Sequence, residues 1–294
     1  MSFAPAVPAR NTSTVMENWC NACEKIPLFD LEVLDLNSVF HEGGTAGEKA
    51  SALALLEKIH RGLYTATFPI PAEQESLKNW IIRLERGKTP LENQLFHIMG
   101  KGLNHPEKAE IVCFVVNAFY PQSQTGLVNY VIRDKAYRRD NPQGNPYYPA
   151  KPFLDYSTRY LERYACTAFQ AELRAIFWES NNPARVHYTP GAEGSEDCMD
   201  PARRIHIIME NFGYRRINMD YFQGDIGNGE CENLILYLCR DHNNTLKGAP
   251  EDLKRFLVEF NAIFNEGRSL QTPAGKQMMA QVEEMLRGER KMLV

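Results

Sequence analysis

The stretch AIFWESNNP, residues 175–183, ends an apolar run on a carboxylate, Glu179. A carboxyl group at the buried end of a strand loses solvation of its charged form, so its pKa rises towards neutrality. Such a group suits proton abstraction near pH 7. The competing role is structural: a carboxylate that accepts hydrogen bonds from the loop behind it, or pairs with Arg185. The residues downstream of it support a built site. DPARRIHIIMENFGY reads as a helix with Asp200 as N-cap, Pro201 at the first helical position and Gly213 as C-terminal cap. Two strand-like runs come next, RRINMDYFQ and ENLILYLCR, separated by a turn at GDIGNGE. In open α/β sheets, ligands bind where strands of this kind end.

Other chemistries find less support. CNAC (Cys20 to Cys23) has zinc-like spacing, yet neither a second CxxC nor an HxxxH exists to complete a tetrahedral site. Cys198 lies near His187 and His206 in sequence, but its acidic neighbours raise a thiol pKa rather than lower it. The seven histidines form no spaced metal pair, and GxGxxG, GxxxxGK[ST] and GxSxG are all missing. No metal is expected.

The elements that must position Glu179 are legible from periodicity and punctuation. Residues 29–37 (FDLEVLDLN) alternate as a first strand. GEKASALALLEKIHRGLYTATF and EQESLKNWIIRLERG follow as amphipathic helices, the second stopped by Gly87. NQLFHIMG, the β-branched EIVCFVVNAFY and GLVNYVIRDKAY then form an antiparallel meander over residues 93–137, with PQSQTG as a hairpin loop. A long helix is expected over residues 153–174, after a proline-broken segment. Past Arg240 two amphipathic helices, PEDLKRFLVEFNAIFNEG and TPAGKQMMAQVEEMLRG, either cover the sheet or pair with a second copy in a homodimer. Covering the sheet is the expectation. The fold class is α/β (α+β): a mixed sheet with helices on it.

Composition agrees with this. The chain has 294 residues, 44% hydrophobic and 24% charged, enough for a large core without disulfides. A net charge of −4 with both signs interspersed excludes a general nucleic-acid binder. Seven cysteines, an odd number mostly beside apolar runs, suit reduced thiols in a cytoplasm. No run approaches the ~18 apolar residues of a membrane span. The expected divisions are a flexible leader at 1–25, a main domain at 26–245 and a helical extension at 246–294.

The order of elements resembles the GNAT superfamily of acyl-CoA-dependent N-acyltransferases, with a mostly antiparallel central sheet flanked by helices. GLVNYVIRDKAYRR is similar to the family's fourth strand and its basic exit. AIFWESNNP is similar to the fifth strand of a bacterial subgroup. IIMENFGYRRINMDYFQ and LYTATFPIPAEQESLKNW are similar to that subgroup's helix-to-strand step and first helix pair. The resemblance implies acetyl-CoA or another acyl-CoA as co-substrate and a small-molecule amine as acceptor, with neither nucleic acid nor membrane as partner. It places Tyr130, Val131 and Ile132 beside the pantetheine arm, Arg138, Arg139 and Gly144 at the phosphates, and Asn181 and Asn182 on the cofactor. Glu179 becomes the base.

Two departures stand out. The family's phosphate loop is Arg or Gln, two variable residues, Gly, one variable residue, then Gly or Ala. Led by Arg138, its small positions hold Asn141 and Gln143; led by Arg139, they hold Pro142 and Gly144. The family's acid is a tyrosine four residues before the helix-ending glycine, where this chain has Met209, so Tyr221 or Tyr188 must substitute. These departures give the alternatives: a non-catalytic GNAT-like binding or regulatory module, or a cleft reused for another substrate.

Overall fold

The computed structural model describes residues 31–68, 74–134, 137, 150–189, 199–224, 230–232, 234–241 and 244–294. The leader with Cys20 and Cys23, the loop with Arg138, Arg139 and Gly144, and Cys198 lie outside these residues.

Seven strands form one sheet in the order β1-β2-β3-β4-β5-β7-β6. They are β1 (Glu32–Asp35), β2 (Asn93–Lys101), β3 (Glu110–Tyr120), β4 (Thr125–Arg133), β5 (Ala175–Asn181), β6 (Arg215–Arg216) and β7 (Leu234–Leu238). Each neighbouring pair is antiparallel except β4 and β5, which run parallel. The β2–β3–β4 meander is as expected, and β3 is central: every residue but Glu110 is buried, because helices cover both faces.

On one face, α4 (Ala150–Phe169) and α5 (Pro201–His206) pack on Phe119, Val128, Ile176 and Tyr237. The other face carries two cores. Helices α1 (Leu36–His41), α2 (Ala46–Lys58) and α3 (Leu77–Arg86) bury Trp80, Phe96, Phe114 and Tyr130. Helices α6 (Pro250–Asn265) and α7 (Pro273–Leu286) bury Phe177, Leu236, Phe256 and Met278. The C-terminal helices therefore cover the sheet.

Four local differences from the sequence reading have identifiable causes. The first strand stops at Asp35, whose carboxylate accepts from the Asn37 and Ser38 N–H groups (2.9 and 3.3 Å) and caps α1. Helix α4 ends at Phe169 rather than Arg174, since Gln170 turns left-handed (φ 54°) and the Ala171 N–H returns to the Ala165 carbonyl (3.1 Å). The run RRINMDYFQ is a strand only at Arg215–Arg216. Ile217 still donates its N–H to the Leu236 carbonyl of β7 (2.9 Å); after it the chain binds the C-terminal region, the Asn218 N–H donating to the Met292 carbonyl (2.8 Å) and the Asp220 N–H to Gln281 Oε1 (2.8 Å). Finally, α2 and α5 both run on as π-helical segments, Ile59–Tyr64 and Ile207–Asn211. Such segments are frequent at functional sites. Among the described residues, no helix is long and apolar enough to cross a membrane.

Candidate active site

One β-bulge sets up the site. Across β3 and β4, Val116 faces Tyr130 but Asn117 faces Val128, so Asn129 is the extra residue. A bulge bends its strand and increases the local twist. The parallel ladder between β4 and β5 ends at that level, its last pair being Val128 with Trp178. Beyond it β4 stays on β3 as far as Arg133, while β5 stays on β7 as far as Asn181. The two strands splay apart, and a cavity of about 170 Å³ fills the gap. Two buried atoms at the splay, Asn129 Oδ1 and Ser180 Oγ, have no hydrogen-bond partner among the described residues. Unsatisfied polar groups in such a place call for a polar ligand or water.

Glu179 lies one residue past the last β4–β5 pair and lines the cavity. It is inside β5, which runs on to Asn181, rather than at the strand's end. The Tyr221 hydroxyl donates to Oε1, and Gln223 Nε2 donates to Oε2 at 2.9 Å. Burial raises the Glu179 pKa to about 7; the hydrogen bonds from Tyr221 and Gln223 oppose that rise, and the charge of Glu75 adds to it. Each oxygen keeps acceptor capacity for one more proton donor. Arg185 is not its partner: it reaches the Glu232 carbonyl (2.7 Å) and side chain (3.3 Å).

The cavity is lined from both faces of the sheet, and its charges are sorted. On the α4–α5 face it is lined by Val131, Arg133, Trp178, Arg204, Ile208 and Phe212. On the opposite face it meets Phe68, Glu75, Tyr130, Glu179, Gln223 and Phe260. Both lining arginines fall on the first side and both lining carboxylates on the second; strand alternation from Val131 and Phe177 assigns Arg133 and Glu179, while Arg204 comes with α5 and Glu75 with the start of α3. The two π-helical segments lead into opposite mouths, one towards Thr67 and Phe68, the other through Ile207 and Ile208.

Behind Glu75 lies a buried charge cluster. Arg83 donates to Glu75, and its Nε is 3.0 Å from Glu92 Oε2. Trp80 Nε1 donates to Glu75 Oε2 at 2.9 Å, and the Tyr120 hydroxyl donates to Glu92 at 3.2 Å. Burial raises the Glu92 pKa although Arg83 opposes it; for Arg83 burial is outweighed by Glu92 and Glu75, and its pKa rises.

Of the residues singled out from sequence, the structure brings Glu179, Tyr130, Val131 and Asn181 together on the cavity. Tyr221 reaches it only through Glu179, while Ile132 and Asn182 are not among the lining residues. Tyr188 also lies off the lining, and burial together with the Glu179 charge lifts the Tyr221 pKa well above its ordinary value. The reading from sequence missed Asn129, Ser180, Gln223, Arg204 and Glu75. Of these, Gln223 left a signal as the polar residue directly after the aromatic pair Tyr221 and Phe222 in DYFQ.

No family model matches the chain, and no curated protein matches it in sequence. Several solved structures are similar. A protein described as a GNAT-family acetyltransferase from Bacteroides thetaiotaomicron aligns over 80% of this chain and 98% of its own at 15% identity, TM-score 0.40. A tandem GNAT protein from the clavulanic acid biosynthesis pathway aligns over 66% of this chain and 46% of its own at 12% identity, TM-score 0.40. The ribosomal-protein-S18-alanine N-acetyltransferase from Escherichia coli aligns over 71% and 92% at 11% identity, TM-score 0.35. Those superpositions are weak.

Proposed function

We propose that the protein is an acyl-CoA-dependent N-acyltransferase, with Glu179 as general base at the β4–β5 splay. One observation carries this reading: a carboxyl group with a pKa near 7 faces a gap between parallel strands that also presents unsatisfied polar atoms. Those residues fit an extended, amide-bearing arm. Asn129 and Ser180 would hydrogen-bond its polar groups, while Val131 and Trp178 would pack on its carbons. Arg133 and Arg204 put positive charge on the face from which a phosphate-bearing carrier would approach. An acyl-CoA supplies the acyl group in activated form, as a thioester.

The amine nitrogen bonds to the acyl carbon while the carbon–sulfur bond breaks. Glu179 takes the proton that the amine loses, and the departing thiolate takes one from water. Tyr221 does not line the cavity, so its role is to position Glu179 rather than to protonate the leaving group.

Calorimetric titration of the purified protein with acetyl-CoA is the direct test. Saturable binding is expected, and absence of binding to a folded sample sinks the reading. Glu179→Gln is expected to keep that binding and to lose turnover by about 100-fold or more, the usual size of a general-base contribution. Wild-type binding without turnover on any amine would instead favour a binding module on the same scaffold.

A further inference from the structure

We infer that the acceptor is an amine with an apolar, ring-sized body and no acid group. This rests on the acyltransferase reading for the reaction, though the binding it implies does not depend on acyl-CoA. The cavity mouth opposite α4 and α5 carries two carboxylates, Glu75 and Glu179. No lysine or arginine stands among the described lining residues of that mouth. The nearest cation in the cluster, Arg83, is bonded between Glu75 and Glu92 and is matched by them. An acceptor carboxylate entering here would meet like charge with no lining cation among the described residues to pair with it, and that acts as rejection.

The remaining wall is aromatic and fixed. Phe68 and Tyr130 line the mouth with ring centroids 5.3 Å apart, tilted by 66°. Tyr64 backs both, at 5.2 Å from Phe68 and 4.9 Å from Tyr130, and Trp80 lies 5.6 Å from Tyr130. Phe260 adds a third ring to the lining from α6. Rings held edge-to-face in this way offer apolar area with little mobility to lose on binding. Glu75 itself is only 3% exposed, with Arg83 and Trp80 on its two oxygens. It therefore shapes the field of the mouth without being free to grip a second ammonium, which argues against diamines as the preferred class.

Phenethylamine and phenylalanine share ring and amine and differ by one carboxylate. In calorimetry on the full chain without acetyl-CoA, phenethylamine should bind at least about tenfold more tightly than phenylalanine, a gap of ~1.4 kcal/mol. Phe68→Ala should weaken phenethylamine about tenfold while leaving acetyl-CoA affinity unchanged, a difference within the usual worth of a buried ring contact. Equal or tighter binding of phenylalanine, no binding of either amine, or a Phe68→Ala protein with undiminished phenethylamine affinity overturns the inference. Acetyl-CoA titrated in parallel reports on the reaction separately: loss of that binding with the amine preference intact would strike the acyltransferase reading alone.

Discussion

At the scale of residues, Glu179 combines two demands that oppose each other. A base must be ionised at the working pH, and burial resists ionisation. With a folded pKa of about 7 against an ordinary carboxylate value near 4.5, the folded state binds the proton more tightly than the unfolded chain. The stability this confers is full below the unfolded pKa and disappears as pH rises through 7, a swing of about 3 kcal/mol over some 2.5 units. Activity should move the other way, rising with pH through about 7 as Glu179 ionises. Glu179→Gln, inactive, should thus be no less stable than wild type at pH 8 in urea titrations; marked destabilisation there would mean that the carboxylate chiefly holds the fold. Arg83 is the contrary case. Its loss leaves Glu75 and Glu92 buried without their cation, so Arg83→Met should lower unfolding free energy by about 3–5 kcal/mol. Glu179 was visible in the sequence because its apolar run ends in a charge. Glu75 and Arg83 were not, since eight positions along a helical stretch read as an ordinary solvated face until the fold turns them inward.

Among the elements, the ones with strong periodicity were legible: β2, β3, β4 and the amphipathic helices α3, α6 and α7 all lie where their patterns put them. The site depends instead on irregularities that no periodicity announces. Asn129 looks like a plain strand residue, and only the register across β3 exposes it as a bulge. The π-helical segments likewise sit inside continuous helical patterns. The chain around Gln223 is similar. Gly224 packs so closely on α6 and the turn that follows it that a Cβ there would come within 2.4 Å of Ser269 Oγ and 2.8 Å of Asn261 Oδ1. Gly224→Ala should therefore cost about 1–3 kcal/mol through overpacking. It should also shift Gln223 away from Glu179 Oε2, so the pH profile of turnover moves as well as the denaturation midpoint. A changed midpoint with an unmoved profile would uncouple the C-terminal helices from the site.

On the scale of the whole molecule, the sheet is two leaves, β1 to β4 and β5 with β7 and β6, joined by a parallel ladder of four residue pairs. On the face that carries Glu179, α1 to α3 cover the first leaf, while α6 and α7 cover the second and reach across the join to Ala118, Tyr120 and Leu127; α4 and α5 span the other face. The general plan was readable from the order of elements. The sorting of arginines to one mouth and carboxylates to the other was not, because Arg133 and Glu179 belong to different strands and only their alternation in the assembled sheet assigns the faces.

The splay has a consequence beyond ligand binding. Past Val128 and Trp178 the sheet possesses two edges in its interior, each a row of backbone groups without a neighbouring strand among the described residues. Edges of that kind recruit foreign strands and seed aggregation when they lie open. Here Trp178, Phe212 and Phe260 stand around a gap of only about 170 Å³. The molecule thus keeps an aggregation-prone seam at its centre, guarded by the narrowness of its own walls.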